Sequence, residues 1–302
     1  MRIINLIENT EGSAGCTAAH GLSYYIETKS HRLLLDLGPS DETLKNAAKL
    51  GIDLSKVDTV ILSHGHYDHS GGIMPFAAVN RDALIYMQRT APGDYFRDNG
   101  PKSDEGGIAP EDGAAGNDAG GGGSCGGRYK YIGIDKRIAD LPQVRFVDGD
   151  FIIDSELELF TVKHPAREIP FTNKNLLRGS GDGYIRDDFV HEQALVIMDG
   201  EKHILMSGCA HNGILNILDA YRGKYGLDPD FAISGFHQKQ DNEYSSGEIR
   251  EIREIAEELK SYRTKFITCH CTGIPAFNIM KSIMGDQLIY VHSGDDITGI
   301  VF

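Results

Sequence analysis

Four side chains able to ligate a metal fall within six positions, in the run His64-Gly65-His66-Tyr67-Asp68-His69. While the chain stays extended, residues two apart point the same way, so His64 and His66 can converge on one cation. A turn into a helix at Ser70-Gly71-Gly72 would swing Asp68 and His69 toward a neighbouring position. Two such groups suit a pair of divalent ions roughly 3.5–4 Å apart. Imidazoles crowded this closely repel one another when protonated, and a metal ion keeps them neutral. A solvated polar loop would not call for this spacing.

The remaining ligands must come from elsewhere in the chain. Cys209 and His211 lie two apart in Ser207-Gly208-Cys209-Ala210-His211, and His270 follows Thr268-Cys269 at the end of another apolar run. His211 and His270 are read as ligands, whereas Cys209 stands equally well as a ligand or a bystander. Cys269 and Cys271 would point away from His270 in an extended segment and read as packed small hydrophobes. His237 could be a ligand, but reads better as a general acid or as a histidine supporting the ligands. His20 either reaches the same rim or is structural. His164 and His191 are weaker candidates for a missing ligand, and His31, His203 and His292 default to structural roles. Arg167, Arg178 and Arg186 either receive a phosphate or, as the default, face solvent.

The chemistry expected of this set is hydrolysis of an ester, lactone, amide or phosphoester by metal-activated hydroxide. Asp68 would ligate one ion and orient the nucleophile, and His237 would deliver a proton to the leaving group. The cofactors expected are two divalent metal ions. Zinc suits the imidazole-rich set, with manganese, iron or magnesium as alternatives.

These residues need strand ends to hold them. Val57 to Leu62 is a mostly apolar strand, fit to be buried on both faces, and the histidine run starts at its C-terminal end. Before it, Gly21–Glu27 and His31–Asp36 read as two strands about a hairpin at Lys29-Ser30. A helix follows, capped by Ser40 or Asp41 and stopped by Gly51. Further strands are read at 157–162, 193–198, 203–206, 231–234, 265–268 and 287–291. Helices are read at 212–221, 246–262 and 274–284. Between about residues 97 and 129 glycine dominates, with few large apolar side chains, and the segment reads as a long flexible insertion, either inert or a lid.

Composition narrows the partners. Of 302 residues 40% are hydrophobic, enough for a large core in a single α/β domain. The 44 acidic and 30 basic residues leave a formal charge of -14, which would repel nucleic acid. No run is long and apolar enough for a membrane helix. The first residues do not read as the apolar stretch and cleavage site of a signal peptide, and five cysteines are an odd count for a disulfide framework. A cytoplasmic enzyme acting on a small-molecule substrate is the expectation. The rival of another class is a non-catalytic, metal-stabilised partner protein.

With these residues assembled, the chain resembles the metallo-β-lactamase superfamily, whose His-x-His-x-Asp-His motif matches His64 to His69 in full. The resemblance implies one domain over 1–302, a four-layer αββα sandwich with metals at one edge of its sheets. A closer likeness is to the methanopterin-pathway dihydropterin synthase-like branch. It rests on His20-Gly21-Leu22-Ser23, Ser63 to Gly72, Gly208-Cys209-Ala210-His211, Gly235-Phe236-His237 and His270-Cys271-Thr272-Gly273. That branch implies an alternative, a pterin-related transferase releasing pyrophosphate. The superfamily's bridging aspartate has Cys209 in its place here, and the usual third histidine is replaced by His211. The flavodiiron relatives carry a glutamate where this chain has His66, which favours hydrolytic over redox chemistry.

Overall fold

The computed structural model describes residues 1–100 and 128–301. Two sheets form its centre. The first runs β1 (Arg2–Ile7), β2 (Ser23–Glu27), β3 (Arg32–Leu35), β4 (Thr59–Ile61), β5 (Leu84–Gln88) and β8 (Val144–Val147). Its first three strands are antiparallel, and β3, β4, β5 and β8 are parallel. The second runs β17 (Leu288–Tyr290), β16 (Lys265–Thr268), β15 (Phe231–Ile233), β14 (Lys202–Met206), β13 (Ala194–Asp199), β10 (Leu157–Phe160) and β9 (Phe151–Ile152). Here β14 to β17 are parallel and the rest antiparallel.

Side-chain alternation within each strand sets the layers. Leu33, Leu35 and Ile61 of the first sheet meet Leu195, Ile197, Ile204 and Ile233 of the second in one buried cluster. The intervening Leu34 and Val60 turn outward onto Ala47, Ile73 and Phe76, which lie on α1 (Glu42–Lys49) and α3 (Ile73–Val79). On the far side Val196, Leu205 and Phe266 pack on Ile217, Leu218, Ile252 and Met280, carried by α4 (Ile214–Tyr225), α5 (Ser246–Lys260) and α6 (Ile274–Met284). The result is the expected αββα sandwich, with both faces of each sheet covered. Each fully buried Leu or Ile contributes about 1.5–3 kcal/mol, so the alternation carries much of the fold's stability.

Helix α5 starts on a reciprocal capping box between Ser245 and Glu248. A short α2 (Tyr67–Ser70) follows His66 directly, so the turn into helix comes three residues before Ser70. Helix α7 (Thr298–Val301) closes the chain beside β1.

A third, accessory sheet is formed by β12 (Gly183–Arg186), β11 (Leu176–Ser180), β6 (Tyr95–Asp98) and β7 (Tyr129–Tyr131), all antiparallel. None of these strands is legible in the sequence, because they are short and half-exposed, and the sheet is completed by a distant pairing of β6 with β11. They also trim the insertion read at 97–129, whose ends are the strand residues Arg97, Asp98 and Tyr129. Its body at 101–127, with the lid reading and Cys125, lies outside the described residues.

Candidate metal centre

Four parallel strands deliver the site from their C-terminal ends, where layered α/β proteins collect chemistry. The loop after β4 carries His64 and His66, and α2 adds Asp68 and His69. The turn after β14 carries Cys209 and His211, that after β15 His237, and that after β16 His270. His64, His66 and His211 form one buried triad of ligand atoms, and Asp68, His69 and His270 a second, each within 4.8 Å. Cys209 sits between them, grouping with His64 and His69 and again with His270 and Cys271. Its Sγ is 3.2 Å from His69 Nε2.

The donor atoms face one another rather than ordinary partners. His64 Nε2 and His211 Nε2 are 3.3 Å apart. The Nε2 atoms of His66 and His270 are buried with no hydrogen-bond partner, a costly state for a polar atom. Asp68 Oδ2 lies 3.5 Å from His270 Nε2 and 3.7 Å from His69 Nε2. Burial above all holds His64 and His211 well below the ordinary histidine range and pushes His66 and His270 down to about 3. Neutral imidazoles with unspent lone pairs are what divalent ions require. These groups could therefore hold divalent metal.

Hydrogen bonds behind the ligands aim them. Ser63 Oγ meets His64 Nδ1 at 2.8 Å, and Asn173 Oδ1 meets His211 Nδ1 at 3.0 Å. Asn9 Oδ1 meets His270 Nδ1 at 2.9 Å. Asp36, just after β3, accepts from the Ser63 amide and hydroxyl and lies 2.7 Å from His69 Nδ1. Such outer carboxylates fix tautomer and ring orientation. Asp36 escaped the sequence reading, its one signal being a lone acid ending the apolar run Leu33-Leu34-Leu35. Five non-glycine residues among those described have positive φ, namely Asp36, Phe189, Ala210, His237 and His270. Phe189 stacks on His211 at 4.7 Å, so all five are at the site, where backbone strain is commonly stored.

Other expectations separate here. His237 stands at the pocket wall with its ring 4.2 Å from His211 and its Nδ1 2.7 Å from Thr172 Oγ1. His20 does reach the rim, 3.4 Å from Asp68. His191 is buried but has both nitrogens spent, on the Gly65 amide and on Asp187. It supports the histidine loop rather than completing the ligand set. His164 lines a separate surface cleft. His31 bridges Asp58 and Asp154, and His203 meets Tyr221. Cys269 turns away to Tyr24, as expected. Cys271 does not, because the chain leaves β16 in a tight 3-10 turn over His270–Thr272 rather than extended.

Comparison with known proteins agrees with this geometry. The family model of the metallo-β-lactamase superfamily matches residues 16–232. The chain belongs to that superfamily. It is 26% identical to an uncharacterized protein of Methanocaldococcus jannaschii, covering 92% of both chains. It is 25% identical to that organism's 7,8-dihydropterin-6-methyl-4-(beta-D-ribofuranosyl)-aminobenzene-5'-phosphate synthase, covering 97% of this chain and 95% of the synthase. Among solved structures it is similar to Tm1679, a metal-dependent hydrolase of the beta-lactamase superfamily, with a TM-score of 0.75, 25% identity and 98% of each chain covered. Among the described residues no helix is long and apolar enough to cross a membrane.

Proposed function

We propose that this member of the superfamily is a metal-dependent hydrolase that binds two divalent ions and cleaves an ester, lactone or phosphoester bond of a small molecule. The observation that carries the reading is the pair of buried, unpartnered Nε2 atoms of His66 and His270, each set in its own cluster of ligand atoms. His64, His66 and His211 would hold one ion, and Asp68, His69 and His270 the other, with Cys209 between. Imidazole and thiol donors favour zinc. Bound ions would supply Lewis acidity and a water acidic enough to react near neutral pH.

The chain's own groups supply the rest. Asp68 holds its position at the pocket floor and orients the nucleophile. His237, fixed through Nδ1 by Thr172 and held neutral by burial, faces the pocket, where it takes a proton from the attacking water and passes it to the leaving group. Its side chain and those of Tyr67, Ile132 and Leu176 limit the water that enters. Cytoplasmic residence suits the four free cysteines among the described residues.

A second reading is transfer with release of pyrophosphate, favoured by the synthase that aligns along nearly the whole chain. Elemental analysis followed by a panel of lactones, phosphomonoesters and phosphodiesters, with and without chelator, tests the proposal. About two equivalents of metal and chelator-sensitive hydrolysis are expected. Metal-free protein, or turnover only with an amine acceptor and pyrophosphate release, would overturn the hydrolase reading.

A further inference from the structure

The accessory sheet turns two cations toward the metal pocket. Arg97 of β6 and Lys130 of β7 are direct register partners in an antiparallel pair, and both line the pocket of about 180 Å³ that also contains Asp68, His237 and His270. Facing residues on one side of such a pair have Cβ atoms roughly 4.5–5.5 Å apart, and like charges there repel.

Neither cation is well neutralised by the protein. Arg97 has Asp241 at 3.7 Å, a carboxylate 82% exposed. Lys130 forms no ion pair among the described residues, its ammonium resting 5.3 Å over the Tyr67 ring. Other arginines of this chain, at a net -14, are held more closely by carboxylates. Arg128 forks onto Asp98, Arg167 is held by Asp219 and Glu258, and Arg178 by Asp188. Two like charges set side by side at the rim add positive charge to the pocket.

We propose that Arg97 and Lys130 bind a phosphoryl group of the substrate that is not the reacting bond. Arg97 offers a planar fork and Lys130 a point charge. Their two charges match a phosphoryl group of about -1.5 to -2 better than a carboxylate. That this group sits apart from the cleaved bond rests on the metal-hydrolase reading; the anion site itself does not.

Calorimetric titration with inorganic phosphate, methylphosphonate and acetate tests the site on full-length protein, metal-loaded and metal-stripped, with metal content measured in each sample. Phosphate and methylphosphonate are expected to bind in both states and acetate far more weakly. The variant Arg97→Gln/Lys130→Gln should lose roughly 100-fold or more in phosphate affinity, the scale of two charge-assisted contacts, with metal content unchanged. Lys130→Gln alone, at an exposed position, repeats the test should the double variant misfold. Unchanged phosphate affinity in these variants, or acetate bound as tightly as phosphate, would overturn the assignment. Protein that takes up no metal yet binds phosphate through Arg97 and Lys130 would overturn only the hydrolase reading.

Discussion

Asp36 Oδ2 lies 2.7 Å from Nδ1 of His69, and both side chains are wholly buried. The same carboxylate accepts from the Ser63 amide and hydroxyl, and Ser63 in turn meets His64 Nδ1. One acid at the end of β3 therefore orients a histidine of each proposed metal site.

Asp36→Asn should break that arrangement with little change of volume. An amide nitrogen cannot accept from Nδ1–H of His69, so metal affinity is expected to fall roughly 10- to 100-fold. Competition against a chelator of known affinity measures it. Wild-type affinity would show that Asp36 has no part in orienting the ligands.

Removing metal should expose an acid-labile fold. His66, His237 and His270, pushed by burial from the ordinary 6.5 down to about 3, resist protons that the unfolded chain accepts below pH 6.5. Their stabilisation is present above 6.5 and lost as pH falls toward 3. His69 has the opposite sign. Burial disfavours its cation, but Asp36 and Asp68 hold it up at about 9, so its contribution is whole below 6.5 and lost as pH rises through 9. Three groups outweigh one, and the stripped protein's Tm should fall more steeply on the acid side. Thermal melts of chelator-treated protein from pH 4 to 9 check this; a flat acid limb contradicts it.

Gly71 leaves α2 against the Pro39 backbone. A Cβ there would sit 2.0 Å from Pro39 O and 2.3 Å from its carbonyl carbon. Gly71→Ala is expected to cost about 1–3 kcal/mol, as other overpacking does, and to weaken metal binding by displacing Asp68 and His69. Denaturant unfolding of the stripped protein and metal titration read the two effects separately.

His237→Gln tests the proton donor. With metal content retained, kcat should drop roughly 10²- to 10⁴-fold, the usual contribution of general acid catalysis. The loss should shrink for substrates whose leaving group needs no proton. An equal loss across leaving groups would reduce His237 to a structural neighbour of His211.

Local order made much of this chain readable. The apolar runs at Leu33 to Leu35 and Val60–Ile61 announced strands, and Ser40 or Asp41 with Gly51 announced the ends of a helix, because each signal lies within a few residues. The compact spacing of His64 to His69 announced ligands for the same reason. What tertiary structure alone decided is which distant groups share that space. It placed Asp36 behind His69, spent both nitrogens of His191 on Gly65 and Asp187, turned Cys271 inward through a tight turn, and set Arg97 beside Lys130. Those outcomes depend on register between strands and on turns at strand ends, where non-local pairing rather than local propensity chooses the conformation.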